Sequence, residues 1–363
     1  MTATAGSHQP SLGLLGSEQA LAQAYDVALL DLDGVCFAGQ ARIDHAAQGV
    51  NGARAAGMRL SFVTNNASRA PRTVADKLGV NSIEAYPNEV FSAAMDAAAL
   101  LGEHVDPGSP VLVIGGDGLR QALLDEGYRL VDSAEDHPVA VVQGWAPEVD
   151  WAMMSEGVYA IRDGAIHVAT NTDATLPTER GFALGNGSLV VAVANASGKE
   201  YLAGGKPFPG IYRRALARAG GSRPLAVGDR LDTDLVGARA AGIAGMHVLT
   251  GVSTARDVVL APAEQRPTYL HTDLRGLLEP HPAPQAQHDG WWRVRDWTAR
   301  VDQGTAFLHG PQGGLELRAA ETTSLPLDAY RALACAVWEQ RDLHGPAGAP
   351  ALPVLSVTAP EER

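Results

Sequence analysis

The chain has 363 residues, a formal net charge of −13, 46% hydrophobic and 19% charged residues, a composition ordinary for a folded protein of two or three domains. Its acidity argues against nucleic acid and anionic membrane as partners, which want a basic footprint, and no apolar run approaches the ~18 residues of a membrane span. Two distant cysteines, Cys36 and Cys335, exclude a disulfide framework and a cysteine-rich zinc site, and the residues before Tyr25 lack the basic start and apolar core of a signal peptide, so the cytoplasm is the expected compartment.

The first strong element is Val27-Ala28-Leu29-Leu30, an apolar run that ends in Asp31-Leu32-Asp33-Gly34-Val35. It reads as a buried parallel strand delivering two acids to its carboxyl edge, where open α/β sheets place ligands. Two carboxylates so close repel unless a cation lies between them. A hard divalent ion with oxygen ligands, most simply Mg²⁺, removes that conflict. Taken alone, the pair reads equally well as a cap on the following turn.

A helix over 46–56 and a strand over 59–64 follow, ending in Thr64-Asn65-Asn66 ahead of a helix near 71–78. Small hydroxyl and amide groups at a sheet edge suit an anion, or a plain strand-to-helix cap. From Asn88, read as a helix cap with the helix running to Leu101, the pattern restarts. Strands at 111–114, 139–142 and 167–170 alternate with helices at 117–126, 150–161 and 188–196. That alternation implies a second, mostly parallel sheet in a domain inserted over 88–204.

The first pattern resumes at Gly204-Gly205-Lys206-Pro207, with a helix over 209–219 and a strand over 224–229 ending at Gly228-Asp229. Arg230-Leu231-Asp232-Thr233-Asp234 opens the next helix, and strands at 246–250 and 267–271 complete the set. Residues 279–290 hold three prolines and no apolar periodicity, so 281–290 reads as a linker. After Trp291 come a strand-like start, an amphipathic helix over 327–341 and a strand near 352–357. Some seventy residues make a marginal independent core, so this α+β module is expected to lean on the rest.

Four strand ends thus carry polar groups in order: Asp31 with Asp33, Thr64 with Asn65, Lys206, and Asp229 with Asp234. In these motifs the chain resembles the haloacid-dehalogenase-like phosphatases, whose Asp-x-Asp-x-Thr/Val is met by Asp31 to Val35. Thr64 matches the family's hydroxyl residue, Lys206 its lysine, and Gly228 to Asp234 its Gly-Asp-x-x-x-x-Asp. An insert between the second and third motifs looks like the class with a large α/β cap, the 4-nitrophenylphosphatase-like group. The resemblance implies a Rossmann-like catalytic core over 20–87 plus 205–280, a cap over 88–204 and a separate module over 291–363. The whole chain looks closest to actinobacterial glycerol-3-phosphate phosphatases that end in a small acetyltransferase-like module. That tail lacks the Gln/Arg-x-x-Gly-x-Gly/Ala loop of a working acetyltransferase, so a structural role is expected of it.

The expected chemistry is hydrolysis of a small phosphate monoester. Asp31 attacks phosphorus to give an aspartyl-phosphate, and Asp33 serves as general acid and then base. Mg²⁺ is held by Asp31, the backbone carbonyl of Asp33 and Asp229, with Asp234 behind. Lys206, Thr64, Asn65 and Asn66 hold phosphate oxygens. The loop 169–180 resembles the family's substrate-specificity loop and makes Asn171 and Arg180 candidates for the leaving group. Glycerol 3-phosphate leads as substrate, with phosphoglycolate, pyridoxal phosphate and nucleoside monophosphates as alternatives. A homodimer through cap or tail is what the resemblance suggests.

Rival readings fail on particular residues. Gly116-Asp117-Gly118 lacks the third glycine of a dinucleotide loop, since residue 121 is Gln. Gly205-Lys206 is no nucleotide P-loop, because Glu200 and Pro207 stand where Gly and Ser or Thr belong. The eleven histidines include no i, i+4 zinc pair. A phosphate sensor without turnover, or transfer of phosphate to another alcohol, is the alternative of a different kind.

Overall fold

A computed structural model describes residues 13–178, 180–319 and 322–359. The chain packs as two compact units, one of residues 1–60, 81–84 and 219–363, the other of 61–80 and 85–218. The end of the strand Arg59–Thr64 and the segment 205–218 pack with residues 85–204, and the tail packs in the same unit as the first strand.

In the first unit the strands Val27–Leu30, Pro224–Gly228, Ala244–Val248 and Tyr269–His271 pair in parallel. Val27–Leu30 is buried at every position, which is why it reads as a continuous apolar run. Its register, Leu30 opposite Val227, sets Asp31 level with Gly228 and brings the two acid-bearing strand ends side by side. The helix Ala46–Ala55 carries Gly49 and Gly52 against Leu274 and Leu278, a backbone approach that a Cβ would block.

The tail is a five-stranded antiparallel sheet, Gln285–Ala286, Trp292–Val294, Trp297–Asp302, Thr305–Gly310 and Gly313–Leu317 in that order, with the 18-residue helix Leu327–His344. A parallel pair, Thr322–Pro326 with Val354–Thr358, stands apart from that sheet. The stretch expected as a linker is built into the structure: His281 is buried and Gln285–Ala286 is an edge strand of the sheet. One apolar cluster runs from Leu231, Leu235, Val258 and Leu270 through Ala299 and Leu308 to Tyr330, Leu333 and Val337. The tail therefore completes its core on the α/β sheet, as its size requires. Polar ties reinforce the seam: Arg331, buried, donates to the Leu270 carbonyl at 2.8 Å and to His281 Nδ1 at 3.2 Å. Arg266 reaches Asp342 at 2.7 Å, and the Trp338 indole donates to the Val258 carbonyl at 3.0 Å.

The second unit holds a five-stranded, all-parallel sheet in the order Leu202–Ala203, Ile166–Ala169, Ala140–Gln143, Pro110–Ile114 and Arg129–Val131. Two expectations change here. Asn88 does not cap a helix: Val90–Ser92 is a strand paired in parallel with Phe62–Thr64, and the helix Ala93–Leu101 starts at Ser92, whose hydroxyl accepts from the Met95 N–H. The β-forming Val90 and Phe91 have a partner strand there, and that pairing outweighs the local cap signal. The loop after 170 also folds into a hairpin, Thr175–Thr178 with Gly181–Leu184. Among the described residues no helix is long and apolar enough to cross a membrane.

Candidate active site

Asp31 follows directly on its strand, its N–H donating to the Val227 carbonyl at 2.9 Å. The chain then turns at Gly34, whose φ of +89° falls in the region that glycine alone enters freely. A Cβ there would come within 2.5 Å of the Asp229 carboxylate. Asp33 is exposed, and its Oδ1 accepts from the Gly39 N–H at 3.2 Å. Cys36 is buried, with its Sγ against the Asp31 carbonyl at 3.3 Å, which suits the small core residue expected.

Asp229 is wholly buried at the end of the neighbouring strand. Its Oδ2 accepts from the Val252 N–H at 2.6 Å, and its backbone carbonyl accepts from the His247 Nε2–H at 2.9 Å. Burial pushes the His247 pKa down to about 4, so the ring is neutral and its one N–H is committed to that carbonyl. Beyond Asp229 the chain winds into a single π turn, Leu231–Leu235, a feature frequent at functional sites. The turn presses Asp234 onto Gly228, with no room for a Cβ, and Asp234 Oδ2 accepts from the Arg230 N–H at 3.1 Å. Asp232 points away into an exposed ion pair with Arg230, as a solvated residue would.

Asp31, Asp229 and Asp234 each present a carboxylate oxygen within 4.8 Å of the other two. Three like charges at that spacing, two of them buried, repel strongly in a medium of low dielectric. The donor set is all hard oxygen, the chemistry of a Mg²⁺ or Ca²⁺ site. These residues fit a divalent cation. A Cβ on Gly34 or Gly251 would collide with the Asp229 carboxylate, so the two glycines help fix where that oxygen pair sits.

In the second unit Thr64, Asn65, Asn66, Asn171 and Lys206 also come together. Thr64 Oγ1 accepts from the Asn66 N–H at 3.1 Å, and the Asn66 side chain accepts from Ser68. The Asn65 amide is committed to protein: its Oδ1 accepts from the Lys206 N–H at 2.7 Å, and its Nδ2 donates to the Lys206 carbonyl at 3.1 Å and to Asp173 Oδ2 at 3.1 Å. Asn171, expected near a leaving group, is buried and instead braces the loop, donating to the Asn65 carbonyl at 2.9 Å and accepting from the Asp173 N–H. Arg180 is exposed at the tip of the hairpin, its N–H on Thr178 Oγ1. Sequence reasoning missed Asp173, for which an Asn-x-Asp at a strand end was a usable signal. It also missed His247 and Gly251, whose roles depend on neighbours distant in sequence.

The chain matches a family model of haloacid dehalogenase-like hydrolases over residues 28–129 and a HAD-hydrolase-like model over 203–277. It is 40% identical over 328 residues to a D-glycerol 3-phosphate phosphatase of Mycobacterium tuberculosis, covering 90% of each chain. It is 36% identical to an acid sugar phosphatase of Staphylococcus aureus, over 70% of this chain and 97% of that one. Among solved structures, a glycerol phosphate phosphatase from M. tuberculosis in complex with magnesium superposes with a TM-score of 0.77 at 38% identity, over 95% of this chain and 96% of that one. A thermostable p-nitrophenylphosphatase from Bacillus stearothermophilus gives 0.62 at 33% identity, over 69% and 97%. On these matches the chain belongs to the haloacid-dehalogenase-like hydrolases, in their 4-nitrophenylphosphatase-like class, and is a phosphoric monoester hydrolase.

Proposed function

We propose that the chain hydrolyses glycerol 3-phosphate to glycerol and phosphate with Mg²⁺ as cofactor. The observation that carries this reading is the convergence of Asp31, Asp229 and Asp234 in a chain similar over nine-tenths of its length to a D-glycerol 3-phosphate phosphatase. Asp31, Asp229 and the backbone carbonyl of Asp33 would hold the ion, with Asp234 behind them. When bound, Mg²⁺ supplies positive charge to the phosphate oxygens and lets the carboxylates stay ionised together.

The chain's own groups do the rest. A carboxylate oxygen of Asp31 attacks phosphorus in line, forming an acyl phosphate as the bond to the alcohol oxygen breaks. Asp33 gives its proton to that leaving alkoxide and then, as a carboxylate, takes one from the water that cleaves the acyl phosphate. The Gly39 N–H on Asp33 Oδ1 steadies this side chain in both roles. Lys206 and the backbone around Thr64, Asn65 and Asn66 hold the transferring oxygens, where positive charge and N–H donors offset developing negative charge. Asp173, locked to Asn65, ties the loop that carries Asn171 to the lysine turn. Arg180 serves the leaving group.

The division into a core over 20–87 plus 205–280, a cap over 88–204 and a tail over 291–363 belongs to the same reading, as do a cytoplasmic location and a homodimer, which light scattering tests. The decisive experiment is a panel of phosphate monoesters with Mg²⁺, run beside Asp31→Asn and a chelator. Glycerol 3-phosphate is expected to show the highest kcat/KM, by about tenfold or more over phosphoglycolate and pyridoxal phosphate. A comparable preference for another ester overturns the substrate; turnover retained by Asp31→Asn overturns the nucleophile.

A further inference from the structure

Helix Ala93–Leu101 is built from alanine, leucine and methionine, with one acid, Asp96, in its first turns. Asp96 is 0% exposed. A carboxylate taken fully out of water costs several kcal/mol unless every oxygen finds a donor, so its presence in an alanine-rich helix needs an explanation. Burial pushes its carboxyl above the usual carboxylate range, although the Gly205 N–H and the Arg214 guanidinium pull the other way. Its two oxygens have different partners. Oδ1 accepts from Arg214 Nη1 at 2.7 Å, and Oδ2 accepts from the Gly205 backbone N–H at 2.8 Å. Arg214, on the helix Pro209–Ala219, is held in turn by Glu103 through its other nitrogen.

The Gly204-Gly205-Lys206 turn receives side chains from two sides. Asp96 holds the Gly205 N–H, and the Asn65 amide holds both the N–H and the carbonyl of Lys206. A Cβ on Gly204 would come 2.8 Å from Asp96 Oδ2, and Gly205 has a φ of +74°, so the turn is shaped to fit under that carboxylate. Lys206 itself is 2% exposed. A lysine has four rotatable side-chain bonds, and its ammonium reaches one fixed point only if the backbone beneath it is fixed.

We propose that Asp96, oriented by Arg214, is a positioning residue that clamps the Gly205 amide and thereby aims the Lys206 ammonium. This inference rests on the reading of Lys206 as a phosphate ligand. Asp96 touches neither substrate nor metal in this scheme; it acts through the lysine. Asn at this position keeps an acceptor for Gly205 while losing the charge that orients Arg214, whereas Ala loses both.

The test measures steady-state kinetics per folded molecule and the inhibition constant for inorganic phosphate in Mg²⁺-saturated enzyme, for Lys206→Met, Asp96→Asn, Asp96→Ala and the double variant Lys206→Met/Asp96→Asn. Lys206→Met is expected to weaken phosphate about tenfold or more. Asp96→Ala should approach that loss and Asp96→Asn should fall between it and the parent, the amide oxygen rescuing part of the clamp. On the Lys206→Met background, Asp96→Asn should cost nothing further in phosphate affinity, because it acts through a group already removed. Additive losses in the double variant, or an Asp96→Asn enzyme that binds phosphate like the parent while Lys206→Met does not, overturn the proposal. Unchanged phosphate affinity in Lys206→Met overturns the underlying reading of the lysine instead. Should Asp96→Ala not fold, Asp96→Asn and the double variant decide alone.

Discussion

Two polar clusters in this molecule are assembled by different means. The acids Asp31, Asp229 and Asp234 are placed by backbone: two parallel strand ends in register, a turn at Gly34, and a π turn that sets Asp234 against Gly228. Lys206 is placed by side chains reaching from far along the chain, Asp96 and Asn65, 109 and 141 residues from the groups they hold. Backbone placement follows from patterns that repeat locally, an apolar strand followed by an acid and a glycine. Side-chain placement depends on which helix comes to lie beside which turn, and no local pattern carries that.

The contrast predicts opposite responses to removing a charge. Asp31→Asn breaks the first cluster and is expected to cut kcat by at least about a thousandfold, the scale of losing a covalent nucleophile. Its denaturant midpoint without added metal should match or exceed the parent's, since one of three mutually repelling carboxylates is gone. A large loss of stability would mean that Asp31 is held by contacts as Lys206 is. Arg331→Met is the counterpart among side-chain clamps. It strips donors from the Leu270 carbonyl, His281 and Asp328 in a buried setting, and unfolding free energy should drop by about 3 kcal/mol with kcat per folded molecule unchanged. Urea titration followed by activity on the folded fraction checks both halves.

A smaller effect tests whether backbone alone sets the acids. Gly251 lies so close to Asp229 Oδ2 that a Cβ has no room. Gly251→Ala should push that carboxylate aside and raise the Mg²⁺ concentration for half-maximal activity by about ten- to a hundredfold, with kcat at saturating Mg²⁺ much less affected. An unchanged half-saturation point would show that Asp229 is not a ligand.

The same contrast explains what could be read from the sequence. The strands Val27–Leu30 and Pro224–Gly228 and the helix Pro71–Val80 stood out because periodicity, glycine and proline are local signals. The acids and the lysine were legible as strand-end residues. Nothing in the neighbourhood of Asn171 tells that its amide hydrogen-bonds the Asn65 carbonyl and the Asp173 N–H, which depends on a residue more than a hundred positions away. The strand Val90–Ser92 and the edge strand Gln285–Ala286 exist only because a partner strand lies beside them. Three prolines just ahead of it, Pro280, Pro282 and Pro284, made the second of these look like a free tether.

The smallest predicted effect concerns pH and again separates the two kinds of placement. His281 is buried against Arg331, His271, Glu279 and the ring of Tyr269, and burial, reinforced by the Arg331 charge, pushes its pKa down to about 3. Its Nε2–H donates to the Gly276 carbonyl and its Nδ1 accepts from Arg331, an arrangement that only the neutral ring can make. In the unfolded chain the ring takes up a proton near pH 6.5, but in the folded protein it does not until far lower. The stability it supports is therefore complete above about pH 6.5 and declines as the pH falls toward its folded value, at about 1.4 kcal/mol per pH unit from this one group. Asp273 and Glu279, whose carboxyls are held below their usual range by Arg275 and His271, lose stability only at lower pH, beneath the usual carboxylate range. His167 and His247, both pushed down to about 4 by burial, add parallel slopes that His281→Gln leaves in place. Urea unfolding of the parent and His281→Gln between pH 6.5 and 5 should thus give curves whose slopes differ by about one proton. Equal slopes would mean that the ring takes up its proton at the same pH folded and unfolded, and the seam to the tail would owe nothing to a neutral His281.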